Sequence, residues 1–227
     1  MLGRWRNSQL WRSIARHPAP TDRRGRALVI VGNFLLHLHP PTIKEHALSP
    51  GFTWCMGGIT FFLFLVETVT GVLLMFYYRP TIQWAYHDML DLRDVVSFGI
   101  MREIHRWGAH AMVITVMLHM YRVFLTGSYK SPREFNWCIG VLLLVLTLAL
   151  SFTGYLLPWD QLSVWAVTVG ANLIGEARVF LLGGRSVGEE TLIRFYVLHC
   201  IGLPLLAGFL MAVHFWRVRK DGISGPL

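Results

Sequence analysis

Charged residues are scarce in this chain. They make up 15% of its 227 residues against 54% hydrophobic ones, and the mean hydropathy of +0.46 is too high for an ordinary soluble domain. A membrane is the simpler solvent. Cysteine is scarcer still: Cys55, Cys138 and Cys200 show no paired spacing of the kind that frames a zinc site or a disulfide scaffold. Acidic residues are few, 13 against 21 basic ones, for a formal charge of +8. In so apolar a chain that balance reflects loops facing an anionic cytoplasmic leaflet rather than nucleic-acid binding. The first 27 residues are Arg-rich and lack the apolar run and small-residue cleavage site of a signal peptide, so the N-terminus is expected to stay on the cytoplasmic side.

What the chain has in plenty is long apolar runs. A bilayer core needs about 20 mainly apolar residues in helical form, and four segments approach that length, near 54–78, 105–125, 137–157 and 192–216. The expected fold is therefore all-α: an integral-membrane four-helix bundle running up-down-up-down, residues 54–227. Residues 1–53 form a separate segment, basic, with scattered aromatics and a break at Pro40-Pro41; they read as an interfacial helix and a loop on the membrane. Residues 159–190, between the third and fourth spans, are mixed and are expected to form short helices along the surface. Four crossings place both termini on one side. That side carries 14 of the 21 basic residues, which makes it the cytoplasmic, or negative, side of an energy-transducing membrane.

The spacing of four histidines points to chemistry. His105 and His119 lie 14 residues apart in the second span, about 21 Å of rise and within about 40° of complete turns, so they share a face at opposite depths. His199 and His214, 15 apart in the fourth span, share a face within about 60°. Antiparallel packing would set His105 against His199 near the outer surface and His119 against His214 near the cytoplasmic one. The first and third spans repeat the 14-residue interval in glycine, at Gly57 and Gly71 and at Gly140 and Gly154. Glycine removes a side chain where something flat approaches the backbone. A haem edge is such an object, imidazole is a good axial ligand for its iron, and helical bundles build cofactor sites from facing helices. The expectation is two stacked bis-histidine haems. His110 is off this register and reads as a packing residue; His17, His37, His39, His46 and His87 lie outside the spans and read as interfacial polar residues.

These histidines and glycines occur together with the segments Arg102-Glu103-Ile104-His105-Arg106-Trp107, Leu157-Pro158-Trp159-Asp160-Gln161 and Arg219 through Leu227. In all of them the chain resembles the cytochrome b/b6 family from about Cys55 to Leu227. The 15-residue step from His199 to His214 resembles the b6 type, as does a chain ending after the fourth helix. The resemblance implies two haem b groups, an outer one on His105/His199 and an inner one on His119/His214. By the position of Cys55, two residues before Gly57, it also implies a third haem, of c type, held there through a single thioether; the usual two-thioether attachment is excluded because no Cys-x-x-Cys-His segment is present. Otherwise a lone cysteine is a small buried hydrophobe, the reading given to Cys138 and Cys200. Arg102 resembles the arginine that meets a propionate of the outer haem, although an interfacial arginine with its head in water would look the same. Arg122, Lys130, Arg133 and Arg219 gather on the cytoplasmic side, where some would meet inner propionates. Glu67 is an ionisable group inside a span, where the family more often has glutamine; it is either protonated packing or part of a proton relay.

The implied activity is that of a subunit of a quinol-oxidising, proton-translocating oxidoreductase. Quinol would be oxidised on the outer side near residues 157–165, one electron passing to a Rieske iron–sulfur protein and on to a cytochrome c-type or other soluble acceptor. The other would cross the membrane between the two b haems and reduce quinone on the cytoplasmic side, in a Q cycle. The implied partners are a separate subunit carrying the C-terminal half of cytochrome b, the lipid membrane, and a second copy of the complex. Two other readings stay open on the residues alone: a dihaem membrane anchor linking quinone to a dehydrogenase or hydrogenase, and a transporter using the histidines as a proton relay.

Overall fold

The computed structural model describes residues 21–31, 54–173 and 175–222. Among them the chain is all-α, without a strand. Helix α1 is Arg23–Val31, the described part of the N-terminal segment, started by the Asp22 carboxylate accepting the Gly25 N–H at 2.9 Å. The spans are α2 (Met56–Met75), α4 (Ile100–Leu125), α5 (Glu134–Leu156), and a fourth built from α8 (Glu189–Val197), a π-turn over Leu198–Gly202 and α9 (Leu203–Asp221). Each of these four stretches is long and apolar enough to cross a membrane. The second starts before the expected residue 105. The fourth runs from 189 to 221 instead of 192 to 216, because its polar ends, Glu189-Glu190 and Arg217 to Asp221, are helical as well.

The chain divides into two compact units. One comprises Gly57–Val116 and Leu144–Gly208. Its non-spanning helices are α3 (Ala85–Asp94), α6 (Gln161–Leu173) and α7 (Arg178–Leu182). Helix α3 is absent from the sequence reading, since ten residues containing two aspartates and an arginine in their second half carry little apolar signal. The helices expected within 159–190 are present, and they are packed: Val167, Ala171 and Leu182 bury with Leu156 of α5 and Phe195 of α8. A second cluster joins Tyr78, Ala85, Leu157 and Leu192. Pro158 interrupts α5, and the Asp160 carboxylate then starts α6 by accepting the Ser163 N–H at 2.8 Å, an N-cap at the usual offset. Before α4 the backbone turns sharply through Ser97, Phe98 and Gly99, all at positive φ. At Gly99 (φ 76°) a Cβ would fall on the Arg93 carbonyl, so only glycine serves.

Two links fasten this region, one of them long-range. The buried Tyr78 hydroxyl donates to the Leu157 carbonyl at 2.6 Å. Asp88, 3% exposed, takes the Arg79 backbone N–H at 2.8 Å and both Nε (3.1 Å) and Nη2 (2.6 Å) of its guanidinium. Burial pushes the Asp88 carboxyl up, but the Arg79 hydrogen bonds and charge outweigh it and hold the group below the usual carboxylate range. A depressed folded value means stabilisation that is complete above about pH 4 and lost as pH falls through that value. Protection factors over residues 78–94, taken relative to the intrinsic exchange rate at each pH, are therefore expected to fall as pH drops below about 4, and those of Asp88→Asn to be low at all pH values. Equal protection of the two proteins at neutral pH would show that the clamp contributes nothing.

The other unit comprises Met117–Leu143, Phe209–Leu227 and residues up to Met56. It is held by aromatic contacts, with Tyr129 against Phe124 and Trp137 at 5.5 Å each, and by the Arg133 Nε donating to the Gly222 carbonyl at 3.0 Å. Arg217 is fully buried, paired with the Asp221 carboxylate at 2.9 Å and lying 5.2 Å from the centre of the Phe135 ring. The i, i+4 spacing of Arg217 and Asp221 was available in the sequence as a signal for this pair.

Candidate functional site

Within the first unit the rings of His105 and His199 face each other with centroids 6.2 Å apart and planes at 83°. Within the second, His119 and His214 do the same at 6.4 Å and 82°. The four histidines expected to pair are thus brought together in the expected combinations.

The residues around the first pair leave one nitrogen of each ring for a ligand. Thr70 donates its hydroxyl to the Val66 carbonyl at 2.7 Å, so its oxygen accepts the Nδ1–H of His105 at 2.9 Å. Thr153 repeats this on the other side, donating to the Ala149 carbonyl at 2.9 Å and accepting from His199 Nδ1 at 3.1 Å; the Leu150 carbonyl is a further acceptor at 3.1 Å. With Nδ1 protonated and occupied, the tautomer is set and the Nε2 lone pair is available to a metal. Neither threonine was singled out from the sequence, although the dipeptide Thr-Gly recurs at 70–71 and 153–154 and marked both.

Gly154 and Gly71 make room for the histidine rings. A Cβ at Gly154 would lie 2.6 Å from His199 Cε1, and one at Gly71 would lie 3.2 Å from His105 Cε1. At Gly140 the neighbours are Met120 Sδ at 3.6 Å and His214 Cε1 at 3.9 Å. Gly57 is the second residue of α2. Cys55 sits just before that helix, exposed, at φ 51°, and belongs to the same unit as His119 and His214. Cys138 is exposed and Cys200 half-buried, so the packing role expected of Cys138 is not what its surroundings show. His110 is exposed and meets Trp107 edge-on with ring centres 5.6 Å apart.

Among the arginines, Arg102 Nη1 donates to Glu103 at 2.9 Å, and Glu103 also takes Arg106. Arg219 Nη1 is buried and has no hydrogen-bond partner among the described residues, which suits an anionic group brought in by a cofactor. Glu67 faces the first histidine pair: its Oε2 lies 3.1 Å from His105 Nδ1.

The set fits haem. A metal–imidazole bond is about 2 Å long and the ring centre lies about 1 Å behind its nitrogen, so two rings sharing one metal have centres about 6 Å apart. Both measured separations meet this.

Comparison with known proteins gives the family. Residues 44–222 match the family model described as "Cytochrome b/b6/petB". The chain is 48% identical over 182 residues to cytochrome b6 of Porphyra purpurea, covering 77% of this chain and 85% of that one. Cytochrome b6 of Synechococcus elongatus is 47% identical over the same length, with the same shares covered. Among solved structures, a chain of a hyperthermophilic respiratory Complex III superposes with a TM-score of 0.71 at 27% identity; the match covers 90% of this chain and 55% of that one, so the present chain spans about half the length of that relative. Fold and site together define an integral-membrane electron-transfer cytochrome. The chain belongs to the cytochrome b/b6 family, which carries haem b, and it is a cytochrome b subunit of a bc-type quinol oxidoreductase. Membership sets aside the dihaem anchor and the transporter.

Proposed function

We propose that His105 and His199 hold one haem b, that His119 and His214 hold a second, and that Cys55 fixes a third haem, of c type, by one thioether. Bound there, haem supplies one-electron redox chemistry, while the protein supplies spacing and electrostatics. The observation that carries this reading is the pair of imidazole couples at 6.2 and 6.4 Å, one of them with both Nδ1 atoms already engaged. Gly57, Gly71, Gly140 and Gly154 keep side chains out of the planes the cofactors need. Arg102 and Arg219 meet propionates, Arg219 through its buried Nη1.

In this reading residues 54–227 are the dihaem domain and 1–53 an interfacial segment, with both termini on the cytoplasmic, negative side. Quinol loses its electrons on the outer side near 157–165, and quinone gains electrons on the cytoplasmic side, with protons released outside and taken up inside. The Pro158-Trp159 turn shapes the outer quinol-facing surface. A Rieske iron–sulfur protein and a soluble acceptor such as a cytochrome c take one electron per quinol. A separate subunit carrying the C-terminal half of cytochrome b completes the site, and the complex dimerises.

The test is a pyridine haemochrome spectrum of the purified complex beside a denaturing gel stained for haem peroxidase activity. Two extractable b haems per chain are expected, with covalent haem on this chain that vanishes in Cys55→Ala. Extractable haem without a stained band would remove the Cys55 assignment, and a folded complex without haem would remove the whole reading.

A further inference from the structure

Glu67 has no part in the function described so far, yet it occupies a specific place. It lies on α2 four residues before Gly71, three before Thr70, and is 15% exposed. Its Oε2 is 3.1 Å from His105 Nδ1, beside the Thr70 hydroxyl that contacts the same nitrogen at 2.9 Å. Room for the carboxyl comes from Gly108, one turn beyond His105 on α4, where a Cβ would fall on Glu67 Oε1. The opposing histidine is treated differently. Both acceptors at His199 Nδ1, the Thr153 hydroxyl and the Leu150 carbonyl, are neutral.

We propose that Glu67 is a positioning residue that tunes the His105/His199 haem: its carboxylate shares the Nδ1–H of His105 with the Thr70 hydroxyl and makes Nε2 a more basic ligand. A carboxylate behind a metal-bound imidazole strengthens the donor on the far side of the ring. The stronger donor favours the ferric form, so the haem on this pair has a lower midpoint potential than it would have with an uncharged residue at 67. Gly108 belongs to the device, because any larger residue displaces the carboxyl. The proposal rests on His105 being an axial ligand.

The experiment is a potentiometric titration of the two b haems in the intact complex, with the near-infrared magnetic circular dichroism band of the ferric haems as a second readout. In Glu67→Gln, haem content is unchanged and the ferrous-to-ferric ratio of one b haem, at fixed ambient potential, rises about tenfold, which for one electron is about 59 mV. The charge-transfer band of that haem moves with it. Gly108→Ala, which keeps the glutamate and pushes it off His105, shifts the same haem in the same direction. It also decides the matter if Glu67→Gln does not assemble. Full haem content with both potentials and the band unmoved in these variants overturns the Glu67 proposal and leaves the ligand reading standing. Two b haems retained in His105→Leu overturns the ligand reading, and the proposal with it.

Discussion

Gly154→Val is expected to reduce the extractable b haem from two per chain to one and to abolish quinol oxidation. The Cβ alone would lie 2.6 Å from His199 Cε1, closer than side-chain carbons approach one another, and its two methyl groups would extend further. The ring has little freedom to yield, because Nδ1 is tied to Thr153 and to the Leu150 carbonyl, both on the helix that carries residue 154. Moving the imidazole breaks those contacts and takes Nε2 off the axis it would share with His105. Gly71→Val is expected to act in the same way but less completely, since the Cβ contact with His105 Cε1 is 3.2 Å. Gly58→Ala, with nothing within 4 Å, is the control and should keep both haems. Haem per chain by pyridine haemochrome decides, and full occupancy in Gly154→Val would refute the clearance role.

Two single-residue deletions should have opposite outcomes. Deleting Ile201 is expected to leave both b haems in place, whereas deleting Ile114 is expected to lose one. Read as uninterrupted α-helix, the 15-residue interval from His199 to His214 departs from the 14-residue interval of the opposing helix by one residue, about 100°. Along the fourth span, the π-turn over Leu198–Gly202, where the Leu203 N–H reaches the Leu198 carbonyl, is expected to take up that residue. It closes one residue later than an α-turn. Loss of Ile201 lets the turn revert to α and keeps His199 and His214 in step. Helix α4 has no such reserve: Ile114 stands between His105 and His119 in regular α-helix. Its removal turns His119 by about 100° relative to His105 and shortens the helix by about 1.5 Å. Ile114 is 59% exposed, so little packing is lost with it. The same haem content in both deletions, whether one or two, would show that the π-turn does not set the register.

Much of the site was legible because a membrane leaves the backbone few choices. Once a segment is apolar enough to span, it must be helical, and helical periodicity then places His105 with His119 and Gly140 with Gly154. Arg217 shows where such reading stops. Charge counting puts it among exposed cytoplasmic basics, but it is buried against Asp221 and Phe135, and burial depends on which helix covers a side chain. Helix α3 escaped for the converse reason: it is too short and polar to signal itself, and it is anchored through Arg79, nine residues from its partner Asp88 in sequence.

The sequence by itself determined the membrane class, the four spans, the pairing of the histidines and the glycine register, since all of these follow from apolar length and helical period. Only the tertiary structure decided what stands behind each imidazole. Thr70, Thr153, the Leu150 carbonyl and Glu67 reach His105 and His199 across 35 to 49 residues of chain. It also showed the π-turn over Leu198–Gly202. Hydrogen-bond partners and π-turns are settled by the packing of one helix on another, and periodicity within a single helix carries no record of its neighbour.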